Sequence, residues 1–305
     1  MFVEVAANGI PRLTLVTTKQ FLKARTPGAY TACRTVNHRR RLLALDHHVD
    51  RLAESVRGLF PEAKSSPLLF SDTLKPKFVD VVRVGIDFYQ KQNASAFSED
   101  ANHDEEELKI ILSVCENPAT KELFLDGYVS PLVTPKIDRC IVELCGVPRH
   151  AAEIKSAQWI SDREPLEQRK SKDAEEIVLM DEDGRIYEGI TSNFCVVTRD
   201  DNGAPMVITA PEHTILEGTV LHLVLRVCEE KLKLKTYREF PRIDNAEQGE
   251  WLGAFICSTS RLVLPVKEIR FIEKKREKVE LATDMFTKLI RDKLQQSLEE
   301  YSTEI

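Results

Sequence analysis

The sequence predicts a two-domain protein of the α/β or α+β class, and three observations predict it. The chain has 305 residues, whereas one domain takes roughly 100–200. Segments with strand and helix spacing alternate along it without a regular βαβ period. A stretch rich in Pro and Gly, residues 126–149, parts a mixed first half from a strand-rich second half. The expected boundaries are 1–140 for a small N-terminal α/β domain, 141–152 for an interdomain linker and 153–305 for a larger C-terminal domain.

Each element has its own signal. Residues 3–17 alternate loosely and read as strand, as do residues 29–36 behind the turn pair Pro27-Gly28. From Asp46, a plausible N-cap, Val49, Leu52, Ala53, Val56 and Leu59 recur at helical spacing. Residues 75–92 carry a second amphipathic helix through Phe78, Val81, Val82, Ile86 and Tyr89. The acidic stretch 98–107 reads as a solvated insertion, and residues 108–114 resume as strand. Two strands flank the hairpin turn Asp181-Glu182-Asp183-Gly184. Further strands follow at 193–198, 206–209 and 253–257, Gly218-Thr219 opens a helix, and residues 278–299 read as a closing helix.

Composition excludes several functions. The chain carries 43 Lys plus Arg against 49 Asp plus Glu, a net charge of −6. The basic cluster at 38–41 is too short to track a phosphate backbone, so no nucleic-acid partner is expected. A 42% hydrophobic content builds a core without staples. The seven scattered cysteines read as reduced, buried thiols of a cytoplasmic chain. No stretch reaches the ~20 apolar residues of a membrane span, and residues 1–18 resemble no targeting peptide. No GxG, GxSxG or HExxH occurs, and Gly184 and Gly189 lack the Lys-Ser/Thr of a P-loop. No metal site is expected.

Three features carry possible chemistry. Gly218-Thr219 starts a helix, where exposed N–H groups attract anions, although an ordinary cap reads the same way. Ser258-Thr259-Ser260 follows a buried strand and offers hydroxyls to a phosphate or simply makes a polar turn. Lys155 is a lone lysine, by default solvated. Together they suit pyridoxal phosphate, which needs an amine, phosphate donors and a carboxylate for its ring nitrogen; Glu188 is the candidate carboxylate.

Five collinear motifs then supply a resemblance. Gly28-Ala-Tyr30, His48-Val-Asp-Arg51-Leu, Ile154-Lys155-Ser156 with residues 176–194, Ile215-Leu-Glu-Gly218-Thr219 and Ser258-Thr259-Ser260 fall in order over residues 28–265. This pattern resembles the fold-type IV, class IV pyridoxal-phosphate enzymes, which include branched-chain and D-amino-acid aminotransferases and aminodeoxychorismate lyase. The resemblance implies a small N-terminal α/β domain, a larger C-terminal pseudo-barrel, bound pyridoxal 5'-phosphate and a homodimer. It assigns Lys155 the Schiff base and the proton shuttle, and Glu188 the pyridine nitrogen. Arg51, Gly218, Thr219, Val220, Ser258 and Thr259 are assigned to the phosphate, and Tyr30 to the substrate side.

The implied activity moves an amino group from a small or branched-chain amino acid to a 2-oxo acid. An aminodeoxychorismate-lyase-type reaction and a class IV-like binding protein without turnover are the alternatives. The Arg-x-His of D-amino-acid enzymes is absent, because residues 108–114 run into Cys115-Glu116-Asn117. Trp159-Ile160 stands where many branched-chain enzymes have Tyr, and Arg163-Glu-Pro-Leu-Glu167 is similar to a divergent eukaryotic-type subgroup.

Overall fold

Residues 2–17 form two short strands rather than one, β1 (Phe2–Val5) and β2 (Pro11–Thr14). The chain reverses between them, where Gly9 N–H donates to Ala6 O at 2.8 Å. Thr17 then caps α1 (Thr18–Lys23) through a capping box with Gln20. The computed structural model describes residues 2–93, 106–272, 276–282 and 285–305. The acidic residues 98–105 of the expected insertion lie outside the described residues.

The first half continues with β3 (Gly28–Val36), β4 (Arg41–Leu43), α2 (Leu45–Leu59), α3 (Ser71–Asn93), β5 (Leu108–Glu116) and β6 (Leu123–Pro131). Asp46 is not the cap of α2. Ala44, left-handed at φ 49°, precedes the helix, and its N–H donates to Tyr301 O at 2.8 Å. The stretch 126–149 is not a bare linker: it holds the end of β6 and all of β7 (Cys140–Leu144). Gly127 is there for packing, since a Cβ would meet Val81 Cγ1 of α3 at 2.4 Å.

The second half contributes α4 (Trp159–Asp162), α5 (Glu164–Arg169), β8 (Glu176–Met180), β9 (Ile186–Gly189), β10 (Asn193–Arg199) and β11 (Pro205–Thr209). Then come α6 (Thr219–Arg226), β12 (Lys235–Arg238), α7 (Ile243–Glu247), β13 (Gly253–Ser258), β14 (Leu262–Phe271) and β15 (Val279–Glu280). The closing helix is shorter than its periodicity suggests. Val279 pairs with Ile269 and Glu280 with Glu268, so that α8 (Met285–Gln296) follows strand β15. The last element is β16 (Ser302–Glu304).

Two compact units result. One joins residues 1–133, 154–162 and 298–305; the other joins 134–153 and 163–297. Lys155, expected in the C-terminal domain, thus packs with the N-terminal residues. The first unit is a seven-stranded antiparallel sheet in the order β16-β4-β3-β5-β6-β1-β2. Its main core joins the helices to the sheet through Val49, Leu52, Val56, Leu74, Phe78 and Val82. Burying each such side chain stabilises the fold by roughly 1.5–3 kcal/mol. A smaller cluster includes Phe21, Tyr30, Tyr128, Ala157 and Ile160.

The second unit is a nine-stranded mixed sheet. Its path runs β12-β11-β10-β13-β14-β7-β8-β9, with β15 on β14. The last strand, β9, pairs back onto β10 through Glu188 and Asn193, closing the sheet into the pseudo-barrel that the resemblance implied. Its core includes Val142, Val178, Ile186, Phe194, Ile256 and Ile269. All seven cysteines are buried, and none forms a disulfide.

Candidate active site

Helix α2 packs two kinds of residue on its buried side. Leu45, Val49, Leu52 and Val56 meet the core. His48, Arg51 and Ser55 are buried as well, and their spacing of three and four residues stacks them along one face. Strand β3 alternates in the same way: Ala29 and Cys33 join the helix-side core, and Tyr30 joins the smaller cluster. Thr31 shares the parity of Ala29 and Cys33, and Arg51 Nη2 donates to its Oγ1 at 2.8 Å.

Lys155 is held by its backbone. Its N–H donates to Ser55 Oγ at 3.1 Å, and its C=O accepts from Tyr30 N–H at 3.0 Å. Ala157 N–H donates to Gly28 O at 2.8 Å, so residues 155–157 lie as a short bridge against the start of β3. The half-buried side chain carries Nζ to 4.9 Å from the Tyr30 ring centroid. Tyr30, Arg51 and Lys155 therefore come together within one unit. Burial lowers Arg51 to about 10, and nearby Cys33, Tyr30 and Glu54 act in the opposite direction. The guanidinium stays charged at neutral pH.

The second unit gathers the other expected residues. Glu188, 5% exposed, accepts from Arg149 Nε at 2.8 Å and from Leu216 N–H at 3.1 Å. Glu188 stands opposite Asn193 in the sheet, and Asn193 stands opposite Cys257, which precedes Ser258. Asn193 clamps the loop before α6. Its Nδ2 donates to Leu216 O at 2.7 Å and its Oδ1 accepts from Gly218 N–H at 3.1 Å. A Cβ on Gly218 would meet that Oδ1 at 2.3 Å, so only glycine lets the loop approach. Gly218 has no side chain with which to cap α6, whose first turn presents buried Thr219 and Val220.

Ser258 Oγ accepts from Arg261 N–H and Nη1, each at 3.4 Å. Both neighbours are donors, so neither takes the hydroxyl's own proton. Arg261 is itself held by Glu175 at 2.8 Å and lies 3.4 Å from Glu176. Thr259 lies half-buried in the turn to β14.

Sequence reasoning missed Arg149, read as linker, and Ser55, Thr31 and Arg261. The signal for Ser55 was present in the polar stripe at 48, 51 and 55. Arg149 had none, because its partner Glu188 is close only in the fold. Among the described residues, no three His, Cys, Asp or Glu side chains are grouped to hold a metal ion, and no helix is long and apolar enough to cross a membrane.

A family model described as amino-transferase class IV matches residues 28–269. The chain belongs to this class IV aminotransferase family. It is an enzyme of that family and uses pyridoxal 5'-phosphate. Three solved structures share the fold. A hypothetical aminotransferase from Mycobacterium tuberculosis in its PLP-bound form is 15% identical with a TM-score of 0.73, over 98% of this chain and 99% of that one. A branched-chain aminotransferase from Thermoproteus uzoniensis with norvaline is 16% identical with a TM-score of 0.70, over 99% and 98%. A branched-chain amino acid aminotransferase from Thermobaculum terrenum in PLP-form is 14% identical with a TM-score of 0.69, over 99% and 97%. No curated protein matches significantly in a sequence search.

Each unit by itself holds groups of the kind this cofactor needs: in the first an amine with a fixed backbone and a buried cation, in the second a buried carboxylate with hydroxyl and amide groups.

Proposed function

We propose that the chain transfers an amino group from a small or branched-chain amino acid to a 2-oxo acid, with Lys155 as the residue that carries the cofactor. The observation that carries this reading is the convergence of Lys155, Tyr30 and Arg51 within one unit. The lysine backbone is fixed from two sides, and the arginine is buried and charged.

When bound, pyridoxal phosphate supplies an electron sink for the carbanion character that develops at the substrate Cα. Lys155 Nζ would be the base that takes a proton from that carbon and the acid that gives it back, a role that requires the neutral amine. Glu188, held in one orientation by Arg149 and Leu216 N–H, would be the carboxylate that accepts from the cofactor's ring nitrogen. Arg51 in the first unit, and in the second Thr219, the N–H of Val220 and the hydroxyls of Ser258 and Thr259, would hold the phosphate, with Gly218 allowing its loop a close approach. Tyr30 lines the substrate side beside Lys155 Nζ. A homodimer and a cytoplasmic location accord with this reading.

The test is a panel of amino donors with 2-oxoglutarate, run beside aminodeoxychorismate. Turnover of branched-chain or small donors is expected. Release of pyruvate from aminodeoxychorismate without amino transfer would replace this reading with the lyase.

A further inference from the structure

The buried polar stripe of α2 converges on one hydroxyl. Thr31 Oγ1 accepts from Arg51 Nη2 at 2.8 Å and lies 2.8 Å from His48 Nδ1. Thr31 is fully buried, His48 is 2% exposed and Arg51 8%. A guanidinium can only donate, so it occupies a lone pair of the hydroxyl. The single hydroxyl proton is then available to His48 Nδ1, which accepts it only if the ring carries its own proton at Nε2. Burial and the neighbouring charge of Arg51 favour that neutral ring, lowering His48 well below the usual imidazole range.

The chain His48–Thr31–Arg51 therefore has a fixed direction: ring nitrogen accepts, hydroxyl donates, and the hydroxyl's lone pair receives the guanidinium. A hydrogen bond to Nη2 fixes the guanidinium plane, and two-point recognition of a phosphate depends on that plane. Arginine otherwise loses rotamer freedom on binding, and a prior hydrogen bond removes part of that cost.

We propose that Thr31 and His48 are positioning residues that hold Arg51 ready for the cofactor phosphate, so that they set phosphate affinity without touching the cofactor. This rests on the assignment of Arg51 to the phosphate made above. It predicts an effect confined to ligands that carry the phosphate.

The experiment uses the full chain stripped of cofactor and titrated with pyridoxal 5'-phosphate and, separately, with pyridoxal. Thr31→Val keeps the shape and removes the hydroxyl; Thr31→Ser keeps the hydroxyl. His48→Leu removes the acceptor, and His48→Asn restores one near Nδ1. Thr31→Val and His48→Leu are expected to weaken pyridoxal phosphate about tenfold. Pyridoxal affinity should stay at the wild-type value, and Thr31→Ser and His48→Asn should recover most of the loss. An equal loss for both ligands, or no loss for either, overturns the proposal.

Arg51→Gln separates the two layers. If it leaves the ratio of the two affinities unchanged, the phosphate assignment itself fails. If it lowers the ratio while Thr31→Val and His48→Leu do not, only the positioning role fails. Should Thr31→Val not fold, the two His48 variants decide by the same comparison.

Discussion

Exchanging Lys155 for Ala removes the amine but neither of its backbone hydrogen bonds, to Ser55 Oγ and from Tyr30 N–H. A folded protein is expected, with a thermal midpoint close to that of the wild type and activity reduced by about 10²–10⁴-fold or more. Visible absorption of the protein mixed with pyridoxal phosphate would show no covalently bound cofactor. Gly218→Ala acts differently, because its methyl would meet Asn193 Oδ1 at 2.3 Å. Breaking that buried clamp is expected to cost about 1–3 kcal/mol and to weaken the cofactor, as seen in paired denaturant and binding titrations. His48 gives a pH signature. Its folded pKa lies well below 6.5, lowered first by burial and then by Arg51, His47 and Lys155. The unfolded chain therefore binds the proton first. Stability from this group is complete above pH 6.5 and falls as the pH drops toward the folded value, by up to about 1.4 kcal/mol per pH unit. Urea midpoints between pH 8 and 5 should fall less steeply in His48→Asn than in the wild type.

At the scale of elements, local signals were legible and remote ones were not. The Asp181–Gly184 turn was readable because its hydrogen bonds are its own: Gly184 N–H to Asp181 O at 3.2 Å and Arg185 N–H to Asp181 Oδ1 at 2.9 Å. The start of α6 at Thr219 was readable from its Gly-Thr pair. Helix α2 was readable from its apolar period, but its first residue was not, since Ala44 is fixed by Tyr301 at the far end of the sequence. The polar stripe had the same difficulty. His48 and Ser55 look solvated on a helix until β3 and residues 155–157 are laid against it. Arg51 was singled out only through the family pattern, because spacing alone gives an arginine no partner. The closing helix was overextended because β15 obeys its neighbour β14 rather than its own periodicity.

For the whole molecule, the division into units matters more than the lengths of the parts. The first unit takes its Lys155 segment and its edge strand from residues 154–162 and 298–305. Strand β16 pairs with β4, Arg41 Nε donates to Ser302 Oγ at 2.8 Å, and Ile305 N–H donates to Arg40 O at 3.1 Å. A chain shortened after Ser297 is expected to lose hydrogen-exchange protection at residues 41–59, where Arg51 lies. Strands β10 and β13 should keep theirs. Protection that falls evenly across both units would argue against this division.

The same discontinuity sets an order in time. A ribosome delivers residues 1–133 before the second unit, yet the sheet they begin lacks the edge strand outside β4 until residues 298–305 appear. The unit whose synthesis begins before the other is completed after it. Through Tyr301 and Ala44, the start of the arginine helix waits on a residue made after the whole of the second unit.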